Sequence, residues 1–189
     1  MRRLVFEMGL PFAKPGGLVL DLGCSRGGAI TDLVAELGAN NRFVGVEKSP
    51  EMAAAARSRF ARYSHVEILE ADLCSGFPDV SDCQLVLSVL TLQFTPVENR
   101  QDILWKAFQC LPPGGALILV EKVLGDGPRL HQVMDRAYRE LKSANGYPLK
   151  QVEAKRDSLK GVMVPLTAAW NVHCSGRRAS PKWTASGAG

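Results

Sequence analysis

From Leu18 onward the chain alternates between short apolar runs and longer stretches with helical spacing. Leu18-Val19-Leu20-Asp21-Leu22 is an apolar run broken by one acid, and a small-residue turn, Gly23 to Gly28, follows at once. Ala29, Ile30, Leu33, Val34 and Leu37 then recur as the apolar face of a helix, which Gly38-Ala39-Asn40-Asn41 ends. Arg42 to Val46 predicts a second strand ending at Glu47; Ser49 predicts an N-cap, with Pro50 the first residue of a helix to about Tyr63. Val66 to Glu70 alternates as a third strand. Gln84 to Leu90, apolar and β-branched, predicts a buried fourth strand. A helix from Glu98 to Cys110, the turn Leu111-Pro112-Pro113-Gly114-Gly115 and a strand from Ala116 to Val120 complete the series, closed by Glu121-Lys122. Five alternating units predict a parallel, doubly wound α/β sheet. Before it, Leu4, Met8 and Phe12 predict an amphipathic helix ending ahead of Pro15; after it, a helix over Leu130–Leu141 stops near Asn145-Gly146, before a second helix that carries Arg156.

Composition narrows the class. The 189 residues fit one domain, here residues 1–170, and the 46% apolar fraction is that of an ordinary globule. The net charge of +4 falls to about +1 without residues 171–189, which hold Arg177, Arg178 and Lys182 and no acid. The body therefore carries no global basic signal, and direct nucleic-acid binding is not expected. Five cysteines without C-x-x-C spacing predict reduced thiols and a cytoplasmic protein. No run is long enough to span a membrane, Glu7 interrupts the one leader-like stretch, and His65, His131 and His173 lack metal-ligand spacing.

The candidate chemistry sits at the first turn. Gly23-Cys24-Ser25-Arg26-Gly27-Gly28 reads G-x-S-x-x-G, with Gly23 free to take positive φ and the loop N–H groups free to face a polar ligand. Many strand–helix turns look like this and bind nothing. Asp21 is what separates this one from them, because a carboxylate at the end of a buried strand needs a partner. An ammonium, as on the amino-acid end of S-adenosylmethionine, fits; a pyrophosphate is repelled, and Ser25 crowds it, which counts against a nicotinamide-dependent oxidoreductase. Glu47 stands where such folds hydrogen-bond ribose hydroxyls. Asp72 stands where an acid accepts from an adenine amino group. Each is also explained by a solvated strand end or a turn. Thr91-Leu92-Gln93-Phe94 lies at the carboxyl end of the fourth strand, where open sheets place ligands.

Asp21-Leu22-Gly23-Cys24-Ser25, Glu47, Asp72 and Leu111-Pro112-Pro113-Gly114-Gly115, in this order, resemble a Rossmann-like class I S-adenosylmethionine-dependent methyltransferase. Thr91-Leu92-Gln93-Phe94, Glu121-Lys122, Lys142-Ser143-Ala144-Asn145-Gly146-Tyr147 and Lys155-Arg156-Asp157-Ser158-Leu159 narrow the likeness to the carboxy-S-adenosylmethionine synthases of tRNA wobble-uridine modification. The resemblance implies S-adenosylmethionine and prephenate as substrates, carboxy-S-adenosylmethionine and phenylpyruvate as products, and a homodimer. It implies cofactor contacts at Gly23, Cys24 and Ser25, at Glu47 and Lys48, at Asp72 and Leu73, and at Val89. It places the carboxylate-binding guanidinium at Arg156, a bidentate role lysine cannot copy. Tyr138, Arg139 and Tyr147 line the substrate side or simply pack.

Three departures stand out. Glu47-Lys48 replaces an aspartate–asparagine pair, Val89 replaces an asparagine, and the family's N-terminal cap has no counterpart before Met1. Residues 171–189 show neither alternation nor helical period, so a disordered tail is expected in place of the usual C-terminal hairpin. The competing functions are methyl transfer to a small acceptor and cofactor binding with little turnover. No residue is singled out as catalytic, since methyl transfer rests on alignment and needs no dedicated base.

Overall fold

The computed structural model describes residues 1–176. Five strands, β1 (Leu18–Leu22), β2 (Arg42–Glu47), β3 (Val66–Glu70), β4 (Cys83–Val89) and β5 (Ala116–Val120), form one sheet in the order β3-β2-β1-β4-β5. Every pairing in it is parallel. β1 lies at the centre with all five residues buried, as its apolar run predicts. The order reverses between β1 and β4, which opens the crevice at the carboxyl edge where such sheets bind ligands.

Period-two alternation sends successive β1 residues to opposite faces. Val19 packs with Phe43, Leu85 and Leu87 against Ile30, Leu33, Ala53, Ala56 and Phe60. These last five belong to α2 (Thr31–Leu37), its lead-in turn and α3 (Pro50–Phe60). Leu18, Leu20 and Leu22 pack on the other face with Val44, Val46 and Val86 against Ile103, Leu104 and Ala107 of α4 (Val97–Gln109). Asp21 shares Val19's face. α1 (Arg2–Gly9) lies over the same face, where a Cβ at Gly9 would meet Leu85 Cδ2 at 2.9 Å.

Boundaries differ locally from the sequence expectation. α3 ends at Phe60, three residues before the predicted Tyr63. Leu90 leaves β4 with φ +57, while its N–H stays bonded to Val120 O at 2.6 Å. Beyond β5 come β6 (Val123–Leu124), α5 (Pro128–Ala144), α6 (Leu149–Ser158), β7 (Leu166–Thr167) and α7 (Ala168–Gly176). β6 and β7 pair in parallel as a separate two-stranded element. The segment expected to be disordered begins at Asn171, and its first six residues continue α7; the rest of it, 177–189, lies outside the described residues. No described helix is long and apolar enough to cross a membrane.

Candidate functional site

Three consecutive odd positions of the first turn take positive φ: Gly23 (+72), Ser25 (+51) and Gly27 (+74). The sequence expectation named only Gly23 for this conformation. Gly27 shares it, and a Cβ there would also run into the Phe60 ring. Gly28 instead lies against the Arg2 guanidinium, 3.1 Å from where a Cβ would stand. Gly23 is equally constrained, since its missing Cβ would overlap the Thr91 side chain. Thr91 holds its place by donating Oγ1–H to Leu22 O at 2.7 Å.

Seven of the expected residues, Gly23, Ser25, Glu47, Lys48, Asp72, Leu73 and Val89, meet in the walls of one cavity of about 500 Å³ at the carboxyl edge of the sheet. Glu47 bridges two turns: Oε2 accepts from the Ser25 N–H and Oε1 from the Ser49 N–H, each at 2.8 Å. The longer acid is what reaches both. Lys48 Nζ lies 3.1 Å from Asp72 Oδ2, so the unusual ammonium closes one side of the cavity against that acid. The Cys74 N–H and then Lys48 hold the Asp72 carboxyl below its ordinary range. This ion pair is largely solvent-exposed and contributes about 1 kcal/mol at most. Val46, Leu73, Val89, Leu90 and Phe94 give the cavity an apolar wall suited to a flat base.

Asp21 and Cys24 lie beneath the loop, both buried. Neither Asp21 oxygen has a hydrogen-bond partner among the described residues. Burial, with the Glu47 charge added, pushes the Asp21 carboxyl up to about 8. Asp21 does not itself line the cavity, but it stands two residues before Gly23, which does; an orphaned buried carboxyl in that place fits a ligand that brings an ammonium, as the α-amino group of S-adenosylmethionine would.

Glu121 shapes the site in a way that strand-end position alone did not reveal. Its carboxylate accepts from three successive backbone N–H groups, Thr91 (3.1 Å), Leu92 (2.9 Å) and Gln93 (2.9 Å), and so shapes the β4 loop that walls the cavity. Burial raises its pKa while the three donors oppose the rise. Glu121→Ala leaves those donors unpaired and is expected to lower unfolding stability by about 2–4 kcal/mol, with Glu121→Gln losing less. Urea denaturation at neutral pH checks this, and an unchanged midpoint for Glu121→Ala refutes the loop-shaping role.

Arg156 is not brought to this cavity. It lies on α6, half exposed, with Nη1 3.1 Å from Asp135 Oδ2, an oxygen that Arg139 Nη2 also holds at 3.0 Å. The turn between α5 and α6 sets the two helices side by side, which supplies Arg156 with this nearer carboxylate.

Comparison with known proteins agrees with the geometry. Residues 19–115 match the model of the methyltransferase domain family. The carboxy-S-adenosyl-L-methionine synthase of Methylococcus capsulatus is 35% identical over 176 residues, spanning 91% of this chain and 72% of that protein. The chain belongs to the carboxy-S-adenosyl-L-methionine synthase family. The Shewanella oneidensis member is also 35% identical, over 160 residues, of which this chain spans 65% of the length. A solved cyclopropane synthase of Mycobacterium tuberculosis shares the fold, with TM-score 0.64 and 19% identity over 93% of this chain and 59% of that one. Members of this family are S-adenosylmethionine-dependent enzymes, and the class I methyltransferase fold expected from the motifs and the alternating units is the one observed.

Proposed function

We propose that the protein converts S-adenosylmethionine to carboxy-S-adenosylmethionine with prephenate as carboxylate donor. The observation that carries the cofactor half is Asp21, buried and unpartnered beside a cavity of nucleoside size. Bound there, S-adenosylmethionine would supply a methyl carbon acidified by the sulfonium; prephenate would give up its ring carboxylate to that carbon and its hydroxyl group as hydroxide, which takes the methyl proton to become water and leaves phenylpyruvate. Asp21 takes the cofactor's ammonium. Glu47, with lone pairs left after its two backbone bonds, accepts from ribose hydroxyls, and Asp72 with the Cys74 region receives the adenine edge. The strained Leu90 and the Thr91 turn fix one wall of the cavity, where holding the two substrates in alignment would carry much of the rate. The same reading has the enzyme as a cytoplasmic homodimer that works on small molecules and does not itself hold tRNA, the carboxymethyl group reaching wobble uridine through a separate transferase.

Methyl transfer to a small acceptor is the second reading, favoured by the engagement of Arg156 with Asp135 rather than with the cavity. Mass spectrometry of small molecules released from the purified, denatured protein, and of products after incubation with S-adenosylmethionine and prephenate, separates the two. Carboxy-S-adenosylmethionine in either sample supports the synthase. S-adenosylhomocysteine with no carboxylated product supports simple methyl transfer, and a nicotinamide cofactor refutes both.

A further inference from the structure

Beyond β5, two lysines and two tyrosines form a cluster with no partner of opposite charge among the described residues. Lys122 Nζ stands 5.3 Å from the centroid of the Tyr138 ring, and Lys142 Nζ stands 5.6 Å from the same ring and 4.6 Å from that of Tyr147. Among the described residues neither ammonium has a carboxylate within ion-pair distance. Residues 177–189 contain no Asp or Glu that could supply one. Asp135, one turn before Tyr138, is already held by Arg139 and Arg156. Two like charges drawn to one ring without a counter-ion favour an anion between them.

The surrounding charge points the same way. Residues 122–160 hold nine Lys and Arg against five Asp and Glu, whereas residues 1–121 hold eleven against fourteen. The excess positive charge of the described body is therefore confined to the segment around α5 and α6, while the sheet and its cofactor acids are net negative. One hydrogen bond ties the Lys122 end of the cluster to the loop that walls the cavity. The Lys122 N–H donates to Gln93 Oε1 at 3.2 Å, and Gln93 adjoins Phe94, a wall of the cavity. Both tyrosine rings are about half exposed and present flat apolar faces.

We infer that Lys122, Lys142, Tyr138 and Tyr147 form the docking site for the second substrate: a small organic dianion whose carboxylates the two ammonium groups share and whose unsaturated ring lies against the tyrosines. This rests on the function proposed above and names the residues that hold its carboxylate donor, a task Arg156 does not perform from its place on Asp135. The site acts in binding, not in bond making, and its attraction weakens with added salt.

Calorimetric titration of prephenate into the whole protein saturated with S-adenosylhomocysteine tests it. Lys122→Gln/Lys142→Gln is expected to weaken prephenate binding about tenfold or more while S-adenosylhomocysteine affinity holds, and Lys122→Arg/Lys142→Arg is expected to retain most of it. Both pairs are surface changes, and a thermal melt confirms that the fold persists. Prephenate affinity unchanged in the glutamine pair overturns the inference, as does failure of prephenate to bind the wild type. Binding of a short single-stranded RNA at the lysines in place of prephenate also overturns it. Failure of S-adenosylhomocysteine to bind refutes the cofactor reading separately, and the prephenate titration without it still decides the lysines.

Discussion

Gly23→Ala is expected to abolish useful cofactor binding, lowering affinity for S-adenosylhomocysteine by roughly a hundredfold or more while leaving a folded protein. Two costs act together. A residue with a Cβ resists φ near +72 by about 1–2 kcal/mol. The new methyl also overlaps Thr91, whose Cβ lies 2.9 Å from its position. Thr91 cannot retreat without giving up its 2.7 Å bond to Leu22 O, so about 1 kcal/mol more is at stake. Together these reach about 3 kcal/mol, which is a factor above one hundred if the loop rather than the domain absorbs the strain. Adding Thr91→Gly clears the overlap but leaves the φ penalty, so the double variant should recover part of the loss. Isothermal titration with S-adenosylhomocysteine decides the matter. Affinity of the single variant within threefold of wild type removes Gly23 from the binding loop.

The same loop shows how far the sequence could be read. Alternation and turn chemistry placed all five strands of the main sheet, because each is a short apolar or alternating run and the helices between them stop at strong punctuators such as Gly38, ahead of β2, and Pro112-Pro113, ahead of β5. Asp21 was legible for a related reason: a lone acid in a buried strand has few explanations. Gly27 was not, since counting glycines cannot say which one a distant ring will press against, and Phe60 decided that from 33 positions away. Glu121 and the β4 loop it shapes are likewise a tertiary fact. So is the Arg156–Asp135 pair, which depends on how α5 and α6 turn back on each other. Net charge misled in a different way. The body's value of about +1 averages a negative sheet with a positive α5–α6 segment, and only their separation in the fold gives either sign a role.

Asp21→Asn is expected to act in opposite directions on stability and on binding. In the ligand-free protein the Asp21 carboxyl is raised from 3.8 to about 8, so the folded state keeps a proton that the unfolded state has already lost across that window. Stability contributed by this group therefore falls as pH rises through the window, by at most about 1.4 kcal/mol per pH unit, and levels off above the folded value. Asparagine cannot ionise, so the variant should lose this slope and melt higher than wild type at the alkaline end. Binding reverses the balance. A ligand ammonium favours the carboxylate, so binding at neutral pH should expel close to one proton from the wild type. Heats of S-adenosylhomocysteine binding should then differ between phosphate and Tris buffers by the difference in their ionisation enthalpies. The variant should show no such difference, and should bind about a hundredfold more weakly or worse, because removing one partner of a buried charge pair costs about 3–5 kcal/mol. Equal heats in both buffers for the wild type, together with unchanged affinity in the variant, would mean that the ammonium is held elsewhere and that Asp21 is buried for a reason unrelated to the cofactor.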